Sequence, residues 1–306
     1  MNSSTTASQI EARRFDCDGD GLAAILHRPD GDGAAPPRRG VLIVVGGPQT
    51  RVGSHRQFVL LARDLAAAGY PVLRFDLRGM GDSDGTASGF TALKHEIAAA
   101  TQAMFDACPE LQDVVLWGLC DAASAIMIDA WRDPRISGVV LLNPWVRMVS
   151  TEARTLLRHY YLKRVLDANF WHDLLRGRVQ VLHSLSSLAG NLARGFGGGG
   201  GSGRGELDPD APGLVFPERM RLGLQRFRGA GLLIMSGNDL TAAEFDGTLA
   251  ASDEWQRVLK RPGWVRRDLP AATHTFSRAE WRDQVSMWTR EWLAGLPPPS
   301  PGGDGG

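Results

Sequence analysis

The 306-residue sequence predicts an α/β fold, a mostly parallel eight-stranded sheet flanked by helices with a helical cap inserted after the sixth strand. Three observations predict it. The short apolar runs Val41–Val45, Val114–Trp117 and Gly138–Leu142 show no polar alternation, as strands buried on both faces require. Amphipathic stretches at helical spacing lie between them, and this regular alternation of strand and helix implies parallel pairing through crossover helices. After Asn143-Pro144-Trp145 the alternation stops, and no strand pattern returns until Leu232.

Taken in order, Glu11–Asp18 and Leu22–His27 read as a hairpin. The acidic run Asp16-Cys17-Asp18-Gly19-Asp20-Gly21 between them matches the first half of a calcium loop, but His27 stands where a bidentate glutamate belongs, so a turn accounts for it better. The strand ending at Val45 runs into Gly46-Gly47-Pro48-Gln49. A helix from His55 to Ala68 follows, with Phe58, Leu61, Leu65 and Ala66 on one side and Ser54-His55-Arg56-Gln57 fitting a capping box. A strand at Val72, a helix over Ala92–Asp106 and the strand at Val114 come next. The first part of the core is therefore 9–145 and the cap 146–228, with a flexible glycine-rich linker at 195–205. That linker lacks the Lys-Ser/Thr ending of a phosphate loop and follows no strand, which excludes nucleotide binding there. The core resumes over 229–296, with strands at Leu232 and Trp264–Leu269, and the proline- and glycine-rich tail 297–306 is expected to be disordered.

The run Trp117-Gly118-Leu119-Cys120-Asp121-Ala122-Ala123 carries the chemistry. A buried strand stops at a glycine and a helix restarts one residue after a cysteine, the pattern of the nucleophile elbow in the α/β-hydrolase fold. The positions two before and two after the nucleophile must be small because the backbones there approach closely; Gly118 and Ala122 satisfy this, although glycine is usual at the second. Taking Asp121 as the nucleophile puts Leu119 where a small residue belongs, so Cys120 is preferred. A cysteine at a strand end also serves as a small hydrophobe, and the elbow by itself leaves both readings open.

In this fold the acid and then the histidine follow the nucleophile. Asp239 lies in the loop after Gly231–Ser236, and His274 in the loop after Trp264–Leu269. Each has a plainer role, Asp239 as a turn acid and His274 as a helix-start residue, but chain order and strand-end placement favour a Cys120-His274-Asp239 triad. For the oxyanion, the first N–H comes from the loop after the first buried strand; Pro48 has none, so Gly47 is chosen, with the Asp121 N–H as the second donor. Gln49, Arg51, His55, Arg56 and Trp145 are candidates for contacting substrate.

Together with Val72-Leu73-Arg74-Phe75-Asp76-Leu77-Arg78-Gly79-Met80-Gly81-Asp82-Ser83, Asn143-Pro144-Trp145 and Ser236-Gly237-Asn238-Asp239-Leu240-Thr241, these motifs resemble the exosortase A system-associated hydrolase 1 family. The resemblance covers nearly everything from about Glu11 to Leu293 outside the glycine-rich insert. It implies a bacterial α/β hydrolase encoded among genes for exopolysaccharide synthesis and protein sorting, and it implies no particular substrate.

Composition fits a globular enzyme. Lys plus Arg and Asp plus Glu are 34 each, which argues against bulk attraction to nucleic acid or anionic membrane. No apolar run approaches the roughly 20 residues that span a bilayer, and the polar start lacks signal-peptide character. Cys17, Cys108 and Cys120 cannot all pair and have no metal spacing, so a reducing cytoplasm is expected. The reading is a cytoplasmic ester or thioester hydrolase acting on a small-molecule or glycan-linked acyl substrate, with no metal or organic cofactor implied. An acyltransferase with a sugar acceptor and a non-catalytic glycan- or partner-binding member of the fold are the alternatives. Oligomeric state is left open.

Overall fold

The computed structural model describes residues 9–29, 37–146 and 208–299. The chain divides into two units, Met1–Val146 with Asp208–Gly306 and Arg147–Leu207. The second unit lies outside the described residues, and with it most of the expected cap (146–228) and the stretch 195–205; so does the tail from 300.

Eight strands form one sheet: β1 (Gln9–Cys17), β2 (Asp20–Arg28), β3 (Arg39–Val44), β4 (Val72–Phe75), β5 (Asp113–Leu119), β6 (Ile136–Leu142), β7 (Ala230–Ser236) and β8 (Trp264–Leu269), in the order β1-β2-β4-β3-β5-β6-β7-β8. β1 and β2 pair antiparallel with each other, and β2 pairs antiparallel with β4; from β4 to β8 every pairing is parallel. All six parallel strands therefore present their carboxyl ends along one edge. The β1–β2 hairpin closes on Asp18 (φ 54) and Gly19 (φ 91), the pair of positive φ angles that a tight two-residue turn needs, and this accounts for the acidic run.

Helices α1 (Gln57–Ala67), α2 (Lys94–Ala107), α3 (Asp121–Asp129), α4 (Phe216–Arg226), α5 (Leu240–Ala250), α6 (Asp253–Leu259) and α7 (Ala279–Gly295) cover the sheet. Successive residues of β3 explain its unbroken apolar run. Val41, Ile43 and Val45 pack with Phe58 and Leu65 of α1 and Val285 and Leu293 of α7. Leu42 and Val44 join Ile97 and Met104 of α2 and Ala123 and Met127 of α3 on the opposite face. Both faces are buried, so each side chain contributes the ~1.5–3 kcal/mol of a fully desolvated aliphatic group.

Two expectations change at α1. The helix begins at Gln57, and the capping box does not form: no side chain caps this helix. His55 (φ 54) and Arg56 (φ 60) are both left-handed, which turns the Ser54 hydroxyl away from the first-turn N–H groups, and the Ser54 N–H instead donates to Gln49 Oε1 at 3.4 Å. Within the described part of the span read as cap, α4 packs Met220 and Leu224 into the same apolar cluster as Met127 of α3.

Candidate active site

Cys120 occupies the single residue between β5 and α3, at φ 60 and ψ −122. A non-glycine residue held there costs on the order of 1–3 kcal/mol and persists only where its surroundings enforce it. They do so here: the Cys120 N–H donates to Leu142 O at 2.9 Å, and the Cys120 carbonyl accepts from Ser124 N–H at 3.1 Å and Trp145 N–H at 3.3 Å. Gly118 has the size the turn demands, since a Cβ on it would lie 3.0 Å from the Ala122 carbonyl carbon and 2.7 Å from Ile126 Cδ1. All three cysteines are free; Cys17 and Cys108 are buried, and Cys120 alone is partly exposed. Burial pushes the Cys17 thiol up to about 11 and raises that of Cys108, which leaves both as inert hydrophobes.

Asp239 follows the end of β7 and is the N-cap of α5. Its Oδ1 accepts from Thr241 N–H at 3.1 Å and its Oδ2 from Ala242 N–H at 3.2 Å, and this double capping fixes the carboxylate. Oδ2 also lies 2.8 Å from Nδ1 of His274, in the loop after β8. Nδ1 is thus taken by Asp239, and the ring lines the same cavity as Cys120. Asp239 first and Cys120 next raise the imidazole to about 10 against the desolvation that opposes it. The charge-assisted hydrogen bond from Nδ1 to the Asp239 carboxylate favours the imidazolium.

Two supporting residues stand in motifs quoted from the sequence but were given no role there. Asn143, fully buried and at φ 42, donates from Nδ2 to Ser236 Oγ at 2.8 Å and to the His274 carbonyl at 2.9 Å, while its Oδ1 accepts from Ser236 N–H at 2.8 Å. Ser236 Oγ reaches Asp239 Oδ2 at 3.4 Å. Asn143 thus ties the ends of β6 and β7 to the histidine loop. An asparagine before a proline at a strand end hints only at a turn; its partners are 93 and 131 residues away.

The loop after β3 behaves differently from its expected role. Gly47 N–H donates to Oδ2 of Asp121 at 2.7 Å, and Ala122 N–H donates to Oδ1 at 3.0 Å. The backbone donor chosen for an oxyanion is therefore engaged by the Asp121 side chain. Gly46 permits this approach: a Cβ there would fall 2.1 Å from Asp121 Oδ1.

Cys120, Asp121, His274, Gly47 and Gln49 line a cavity of about 400 Å³, walled by Phe58, Phe90 and Trp145. Trp145 stacks on Phe216 of α4 at 5.5 Å, and Phe90 meets both rings edge-on. Arg51, His55 and Arg56 are not among the lining residues. The Arg51 guanidinium is held instead by Asp76 and Asp82, and His55 and Arg56 are exposed beyond it. A charge that already has a buried counter-ion is not free for substrate, which corrects the expectation for Arg51. Among the described residues no group of three or more His, Cys, Asp or Glu side chains is gathered to hold a metal ion, and no described helix is long and apolar enough to cross a membrane.

This sheet of parallel strands with one antiparallel end, flanked by helices, is similar to that of solved structures. The esterase Pf2001 of Pyrococcus furiosus is 15% identical, with a TM-score of 0.62 over 94% of this chain and 91% of that one. Est1E of Butyrivibrio proteoclasticus, solved with ferulic acid bound, is 17% identical with a TM-score of 0.57 over 92% and 100%. A dienelactone hydrolase from Anabaena variabilis is 15% identical with a TM-score of 0.55 over 94% and 98%. The chain has the α/β-hydrolase fold. Cys120 sits at the turn between β5 and α3, and Gly47 in the loop after β3. No family model matches the chain, and no curated protein matches it; the narrower resemblance rests on the motifs alone.

Proposed function

We propose that this α/β-hydrolase-fold protein hydrolyses activated acyl esters or thioesters through an acyl-enzyme on Cys120. The observation that carries the reading is the 2.8 Å bond from His274 Nδ1 to Asp239, on a ring that lines the same cavity as Cys120. His274 holds the proton on its ring as Cys120 Sγ bonds to the acyl carbon. The negative charge on the former carbonyl oxygen rests on the Asp121 N–H and, once Asp121 releases it, on the Gly47 N–H. The carbonyl reforms, the bond to the leaving oxygen or sulfur breaks, and the imidazolium returns its proton to that atom. Water then attacks the acyl carbon as His274 removes its proton, and Cys120 departs as the carboxylic acid leaves.

Cys120 is one of the two groups that raise the His274 pKa. Acylation removes its contribution, so the ring binds its proton less tightly at the step where it must deprotonate water. A thiol ester is activated toward water and a thiolate is a poor match for amides, which favours activated acyl donors over peptides. The motif resemblance extends this reading to a cytoplasmic role in an exopolysaccharide setting.

The test is alkylation by iodoacetamide, read by mass spectrometry across pH in wild type and His274→Ala, with Cys17 and Cys108 as internal controls. Cys120 is expected to react faster than both controls across the pH range and to lose that advantage without His274. An acyl adduct on Cys120 should accumulate with a poorly deacylated thioester. Reaction no faster than that of the two buried cysteines, with no acyl adduct, overturns the reading.

A further inference from the structure

The carboxylate of Asp121 lies one residue from the nucleophile and lines the same cavity. Its oxygens are held by the backbone N–H groups of Gly47 and Ala122, at 2.7 and 3.0 Å. Among the described residues no arginine or lysine pairs with it, and the positive charge acting on it is that of His274. Burial pushes its carboxyl up from the usual range, so the ionised form lacks a full counter-charge. Asp76, at the end of β4, has an arginine for that purpose. Among the described residues that line the cavity His274 is the one basic side chain and Asp121 the one carboxylate, and Phe90 and Trp145 are aromatic residues of the kind that attract organic cations.

We infer that Asp121 makes this pocket selective for acyl donors carrying a positive charge, of the ammonium or aminoacyl type, close to the scissile carbonyl. The inference rests on the hydrolase reading for the word acyl, but not for the charge preference. A substrate ammonium pairs with the carboxylate and draws it from the Gly47 N–H, which then turns to the developing oxyanion. An anionic substituent meets repulsion at the same place, and a neutral one leaves the carboxylate on its donor. Gly46 leaves room for this arrangement, because any side chain there would collide with Asp121 Oδ1.

The experiment compares three methanethiosulfonate reagents of similar size at Cys120, one aminoethyl, one propyl and one carboxyethyl, each rate divided by that for glutathione. Wild type is expected to favour the cation over the neutral reagent about ten-fold and to disfavour the anion. Asp121→Asn, which keeps an acceptor for the Gly47 N–H, should bring the cation-to-neutral ratio near one, and Asp121→Ser should do the same. His274 opposes the preference equally in all three proteins, so the change in ratio reads Asp121 alone. A wild-type ratio within two-fold of one, or a preference that persists in both variants, overturns the inference. Slow reaction with every reagent counts against the hydrolase reading, while the ratio still reads the charge. An alanyl ester compared with its isobutyryl counterpart should show the same preference in kcat/KM, lost in Asp121→Asn.

Discussion

Asp76 and Asp239 lie beyond the carboxyl ends of two strands of the same sheet, β4 and β7, and both accept hydrogen bonds from backbone N–H groups. Asp76 is fully buried; it accepts from Arg51 N–H at 2.6 Å and Asp82 N–H at 3.1 Å and pairs with the Arg51 guanidinium. Asp239 accepts from Thr241 and Ala242 but turns its Oδ2 to a histidine. The partner separates their roles. A guanidinium never gives up its proton, so Asp76 is permanently neutralised and ties the loop after β3 to that after β4. An imidazole can give up and regain its proton, so the Asp239 pair can do acid-base work. Asp121, between them, has backbone donors and no such partner.

The comparison is sharpened most by Asp239→Asn. The amide oxygen still accepts from the α5 cap, so the fold is retained, while ester turnover falls by about 10³–10⁴-fold because the imidazolium loses its anion. Steady-state kinetics beside urea unfolding measures both. Asp76→Asn is expected to do the reverse. It removes the buried one of the two carboxylates that hold the Arg51 guanidinium, leaving exposed Asp82, and lowers unfolding free energy by about 2 kcal/mol, with Cys120 in the folded protein alkylated at the wild-type rate. If Asp76→Asn abolishes Cys120 reactivity in protein shown to be folded, the two acids are not separable in this way.

A smaller effect concerns pH. The folded pKa of His274 is raised from 6.5 to about 10. Its contribution to stability is therefore fully present below about pH 6.5 and is lost as pH rises toward 10. Urea midpoints at pH 6, 8 and 10 should fall with pH in wild type, and His274→Gln should remove that part of the slope. Asp121 has the same sign at lower pH, since its raised carboxyl also holds its proton more tightly when folded, and its ionised form is a cost to stability at neutral pH. Asp121→Asn should raise the midpoint at pH 7, and a lowered midpoint would show that the carboxylate is better compensated than its surroundings imply. The smallest change expected is Ser236→Ala, which removes a 3.4 Å contact to Asp239. It should cost about 1 kcal/mol and a several-fold loss in turnover.

Much of the sheet was legible because its signal is local. β3, β5 and β6 announced themselves as unbroken β-branched runs, and the residues that end β5 and follow β7 and β8 could be picked as chemistry-bearing by position alone. The start of α1 was misread because a Ser-x-x-Gln pattern does not reveal that His55 and Arg56 turn left-handed. Arg51 looked available to substrate because a free and a paired arginine read alike in sequence. Asn143 and Ser236 were given no role, since each acts through groups brought in by other strands.

The sequence by itself determined the strand alternation, the tight turns and the small residue at the elbow, because these follow from the geometry of a few consecutive residues and from which faces must be apolar. Only the tertiary structure decided who meets whom. It put His274 on Asp239 across 35 residues, Arg51 on Asp76 across 25, and the Gly47 N–H on the Asp121 side chain across 74. Hydrogen bonds and ion pairs act over a few ångströms, so a polar residue's partner is set by the strand order that brings distant loops to one edge of the sheet. Local sequence does not encode that proximity.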